Sequence, residues 1–136
     1  MKTQSAKAKG RKLQQWMRDS LIDILDIHPE DIESASMGAG GEDIIMARAA
    51  RKKFGYSVEC KNQQAVNVWK SYQQSESNCG KYEPLLVIKR NRSKPLVLVD
   101  AEHFIGLFKK LNEYDEMQEE ELLKQQNWNQ LGEEDA

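Results

Sequence analysis

Cysteine is nearly absent: Cys60 and Cys79 are the two in 136 residues, and they do not stand at a metal-ligand spacing. Neither a zinc site nor a disulfide framework is indicated. With Cys60 inside an apolar stretch, reduced thiols in a cytoplasmic setting are expected. Histidine is as scarce. His28 and His103 have no partners at catalytic spacing, which disfavours histidine-based metal chemistry. No apolar run approaches the ~20 residues of a membrane span, and no stretch reads as a signal peptide. The glycines at 38, 40 and 41 are not followed by Lys-Ser or Lys-Thr, which excludes a P-loop. Internal repeats are lacking too.

What remains is a soluble, globular composition, 39% hydrophobic and 31% charged, of a length that suits one domain with a real core. The net charge of −2 hides an asymmetry, since residues 1–111 carry +6 and residues 112–136 carry −8. A basic body (1–111) with an acidic C-terminal helix or tail (112–136) is compatible with a polyanionic ligand.

Leu13, Trp16, Met17, Leu21, Ile24 and Leu25 recur at three- and four-residue spacing, so a helix is predicted from about Lys9 and ended by Pro29. Short strands are predicted at Ile32–Ser36 and Glu42–Ala47, a basic connector closed by Gly55, and a third strand at Tyr56–Lys61. A helix over Ala65–Ser77 follows. Leu85–Ile88 and Leu96–Val99 are buried-type strands joined by a basic hairpin turn. Asp100 is a good N-cap for a helix over Ala101–Leu111. The order implies an α/β protein, a mixed five-stranded sheet flanked by helices.

The chain is organised around Gly40-Gly41-Glu42-Asp43 at the head of one apolar run and Glu59-Cys60-Lys61 in the next. Alternation along a strand puts Ser57, Glu59 and Lys61 on one face, and Tyr56, Val58 and Cys60 on the other. If the strands pair, Asp43 joins Glu59 and Lys61 at one point. Two carboxylates suffice for a hard cation such as Mg²⁺, which takes oxygen ligands and keeps several waters. A lysine beside them can orient or deprotonate a water, or hold charge on a phosphate. The bland alternative is an idle Glu59–Lys61 surface pair and a turn-capping Asp43.

Asp43…Glu59-Cys60-Lys61 resembles the Asp…Glu-x-Lys signature of the PD-(D/E)XK nuclease superfamily. The layout over roughly residues 8–108, with Lys9-Gly10 opening the first helix, is similar to archaeal-type Holliday-junction resolvases and related small phage endonucleases. The resemblance implies a restriction-endonuclease-like fold and Mg²⁺-dependent hydrolysis of DNA, with Mn²⁺ able to substitute. It also implies branched DNA as substrate and a homodimer supplying two sites, in the cytoplasm (that of a host cell if the protein is phage-encoded). Asp43 and Glu59 become metal ligands with the Cys60 carbonyl, and Lys61 the catalytic lysine. The family's helix glutamate is missing. Gln14 or Gln15 stands in its place, Gln73 or Gln74 on the later helix is another accessory candidate, and Ser34 or Ser36 a phosphate contact. Lys9, Arg11, Lys12, Arg51, Lys52, Arg90 and Arg92, from three basic clusters, are expected to contact DNA phosphates, which give affinity without sequence information. Trp69 and Tyr72 are either base-stacking or core residues. The alternatives are a nuclease on linear or single-stranded DNA, or a DNA-binding module that has kept the fold without turnover.

Overall fold

A computed structural model describes residues 4–36 and 40–134. Gly38, one of the glycines of the turn, lies outside the described residues. The elements run α1 (Gln4–Leu25), a 3₁₀ turn (Pro29–Asp31), β1 (Ile32–Ser34), β2 (Ile44–Met46), α2 (Arg48–Lys53), β3 (Tyr56–Asn62), α3 (Val68–Asn78), β4 (Glu83–Lys89), β5 (Leu96–Leu98) and α4 (Ala101–Glu134). The chain divides into two compact units, Met1–Val99 and Asp100–Ala136. Among the described residues no helix is long and apolar enough to cross a membrane.

The α/β class is as expected, but the strands form two small sheets rather than one of five. β1 and β2 are an antiparallel pair, with Glu33 opposite Ile45. β3 pairs in parallel with β4 across the α3 crossover, Glu59 opposite Leu86, and β4 pairs antiparallel with β5. The gap between the sheets has a local cause at Asp43. Its N–H donates to the Val58 carbonyl at 2.8 Å, and its own carbonyl accepts from Ala35 at 2.8 Å. The next donor along β3, the Cys60 N–H, goes to the Asp43 carboxylate at 2.7 Å. A side chain thus occupies the place of a ladder rung, and regular pairing stops there. Gly41, at φ 90°, makes the turn just before it, in a region L side chains avoid.

Leu13, Met17 and Leu21 fall within about 80° of arc on α1 and are buried. They join Val58, Cys60, Leu85, Val87, Ile32, Ile44 and Met46 in one core. Truncating any of the fully buried leucines to alanine costs ~2–5 kcal/mol. Trp16 shares the three- and four-residue spacing but lies about 60° off that arc and is 47% exposed. Gln14 lies just beyond Leu21 on the other flank and is buried. The Asn62 side chain, on the Val58/Cys60 face of β3, donates to the Lys9 carbonyl at 3.0 Å, so α1 covers that face. α3 covers the opposite one with the buried Ser71 and Ser75.

In the second unit Asp100 caps α4 as predicted, accepting from the His103 N–H at 2.8 Å. The helix does not stop at Leu111 but runs to Glu134. The Glu, Gln, Leu and Lys that fill its second half are all strong helix formers.

Candidate active site

Three side chains predicted from sequence to meet are brought together by β3 and the residue ahead of β2. The Asp43 carboxylate is fastened to the Cys60 amide, which places it beside the strand position of Glu59. Lys61 follows two residues on, same face, with Nζ 3.6 Å from Glu59 Oε1. Alternation holds as expected, but neither face is wet: Ser57 is 2% and Glu59 5% exposed, because α3 lies over them.

That burial sets the electrostatics. Desolvation, and then the negative charge of Asp43, push the Glu59 carboxyl above its ordinary value. Lys61, and the side chain of Asn78 at the end of α3, pull in the other direction without winning. Glu59 Oε2 is buried with no hydrogen-bond partner. Two carboxylates facing one ammonium in a poorly solvated pocket are under-compensated, the condition a divalent cation relieves. Among the described residues no group of three or more His, Cys, Asp or Glu is arranged to hold a metal. The available donors are two carboxylates with amide or backbone oxygens, a set that fits a hard, water-retaining ion. The Cys60 thiol lies on the face of β3 opposite Glu59 and Lys61, and burial and then the two carboxylates push its pKa upward.

Of the accessory candidates, Gln14 is 5% exposed with Oε1 lacking a partner, whereas Gln15 is exposed. Gln14 therefore is the amide available to the interior, entering from the α1 side. Gln73 and Gln74 are exposed on the outer side of α3; the helix turns Ser71, Ser75 and Asn78 inward instead. Asn78 is the residue that sequence reading missed. The i, i+4, i+7 spacing of Ser71, Ser75 and Asn78 carried the signal, but small polar residues do not read as a buried stripe. Ser36 is exposed at the edge of the glycine turn, and Ser34 is half-buried opposite Ile44.

The basic residues separate into two kinds. Lys9, Arg11, Lys12, Lys52, Arg90 and Arg92 are at least partly exposed. Arg51 is not a surface cation. Its guanidinium donates to the Tyr56 carbonyl at 2.7 Å, pairs with Glu42, and lies 4.2 Å from the centre of the Tyr82 ring. It ties α2 to the start of β3. Trp69 is 82% exposed, which rules out a core role. Tyr72 is half-buried.

No protein-family model, curated protein or solved structure matches the chain.

Proposed function

We propose that the protein is a Mg²⁺-dependent DNA endonuclease. The observation that carries this reading is the fastening of Asp43 to the Cys60 amide, which converges two carboxylates and a lysine on one poorly solvated point. Asp43 and Glu59 would hold the cation, with the Cys60 carbonyl as a further oxygen. A cation bound there supplies charge neutralisation at the phosphate and a more acidic water. Lys61 directs ammonium N–H groups toward the same point, where they orient the attacking water or take up charge from a phosphoryl oxygen. The buried setting strengthens each of these interactions relative to water.

Branched DNA is the proposed substrate and a homodimer the proposed assembly, since symmetric cleavage of a junction needs two sites. Mn²⁺ would substitute for Mg²⁺. A second reading is a DNA-binding module without turnover, since a glutamine, Gln14 or Gln15, stands in sequence where the resembled nucleases carry a helix glutamate. Supercoiled plasmid and a synthetic four-way junction, each with Mg²⁺ or EDTA, separate the two. Metal-dependent cutting that disappears in Asp43→Asn and Lys61→Ala supports the endonuclease. Tight binding with no cutting in Mg²⁺ or Mn²⁺ supports the module.

A further inference from the structure

A groove outside the candidate site lies between α1 and the β4–β5 hairpin. It has a volume of about 640 Å³, within the usual ~300–1,000 Å³ of small-ligand sites. Its walls combine two features that seldom occur together by accident. Leu13, Trp16 and Pro95 give it an apolar side, and Trp16 is a large aromatic left half exposed. Lys9, Lys12, Lys89 and Arg92 give it four cations and, among the described residues, no carboxylate.

The groove is held in shape. Lys9 Nζ donates to Asn91 Oδ1 at 2.9 Å, tying α1 to the hairpin turn, and Asn62 ties the same turn of α1 to the end of β3. Asn62 and Lys89 are the last residues of the parallel strands β3 and β4. The groove therefore opens at the carboxyl ends of parallel strands, the usual location of ligand sites in α/β sheets. It also begins one residue past Lys61.

We infer that this groove binds an unpaired nucleotide of single-stranded DNA, with its base stacked on Trp16 and the flanking phosphates on Lys9, Lys12, Lys89 and Arg92. A base inside a duplex has both faces covered by its neighbours, so the indole needs a base whose stacking is interrupted. Stacking platforms flanked by cations are how sequence-independent single-strand binding is built. The inference deepens the endonuclease reading by naming its substrate class: DNA in which stacking is interrupted, as at a branch point or in a single strand.

The test is binding by the full chain in EDTA, so that cleavage plays no part. The probe is an oligonucleotide of about twelve nucleotides carrying one 2-aminopurine, offered single-stranded or as a duplex. The single strand should bind more tightly than the duplex, with quenching of the 2-aminopurine emission. Trp16→Ala should lose about tenfold in affinity together with the quench, while Trp16→Phe keeps most of both. Lys12→Ala should lower the slope of log affinity against log salt by ~0.7, the share of one single-strand phosphate. Circular dichroism of each variant reports whether it has folded, and Lys12→Ala, at an exposed position, carries the test if Trp16→Ala does not fold. Equal affinity of single strand and duplex, an unquenched probe, unchanged affinity in Trp16→Ala, or equally good competition by an acidic peptide would each overturn the inference. Trp16-dependent binding without metal-dependent cutting keeps the groove and removes the endonuclease. Cutting that survives with a silent Trp16→Ala removes the groove alone.

Discussion

In the unit ending at Val99, Glu59 sits at 5% exposure beside a second carboxylate, while Trp16 and Trp69 stand half to mostly in water. In α4 the charged side chains from Glu102 to Lys124 are all at the surface, and so are Phe104, Leu107, Phe108 and Leu111, each at least 39% exposed. The two kinds of exception differ in weight. Exposed apolar side chains are common on folded proteins, whereas a buried carboxylate with an unpartnered oxygen is costly and occurs where chemistry needs it. The first unit therefore carries the argument about function, and α4 supplies a control in which acids of the same type are idle. Asp43→Asn or Lys61→Ala should reduce metal-dependent plasmid nicking by at least ~10²-fold. Glu119→Gln on α4 should leave it unchanged. Equal losses in both places would erase the distinction.

A second contrast lies between neighbours on α2. Arg51 has its guanidinium engaged by Tyr56, Glu42 and Tyr82, and Lys52 points into solvent. Arg51→Ala strands Glu42 and should cost about 3 kcal/mol in urea-denaturation free energy. Lys52→Ala should stay within about 0.5 kcal/mol. DNA affinity should rank them the other way, with Lys52 contributing at low salt and Arg51 contributing nothing beyond its effect on folding.

Glu59 gives a comparison with the unfolded chain. Its folded pKa is raised by burial and by Asp43, so the folded state takes up a proton more readily than the unfolded state. The protein is therefore penalised as pH rises from the ordinary carboxylate range through the raised value, and the penalty is complete above it. In EDTA at neutral pH, Glu59→Gln should melt higher than wild type by on the order of a few degrees. The gain should vanish in acid well below the ordinary carboxylate range, where the wild-type carboxyl is protonated in both states. Added Mg²⁺ should raise the melting temperature of wild type and leave Glu59→Gln unmoved. A melting difference independent of pH would mean that Glu59 is adequately paired by Lys61 and Asn78.

Much of this is legible in the sequence, and the exceptions share a cause. Strands β3 and β4 and the Asp100 cap follow from local pattern, so Glu59, Lys61 and Asp43 fell where alternation and spacing put them. Arg51 reads as a phosphate contact because its neighbours are basic; its three partners are a strand carbonyl, an acid nine residues earlier and a tyrosine just ahead of β4. Asn78 went unnoticed because its interest lies in what α3 packs over. Trp16 shares the apolar spacing yet stands half exposed, since a three- and four-residue spacing does not reveal how wide the buried arc is. In each case the deciding contact is between elements, and periodicity reports only which face of an element turns inward. The five-stranded sheet failed for a subtler reason: hydrogen-bond donors on β3 can be answered by a side chain, and strand pattern carries no trace of that.

The smallest expected effect concerns the charge contrast between the ends of the chain. Residues 112–136 carry a net −8 against +6 for the rest, and long-range repulsion of a polyanion depends on the sum rather than on any contact. Replacing Glu119, Glu120 and Glu121 by glutamine keeps good helix formers in α4 and should leave its helicity intact. DNA binding should tighten a few-fold at low salt. The gain should fade toward 1 M salt, where screening acts over ~3 Å. A gain that survives high salt would point to a direct competition between the acidic residues and DNA for the basic surface, and no gain at all would show that the acidic segment is electrostatically silent at the binding face.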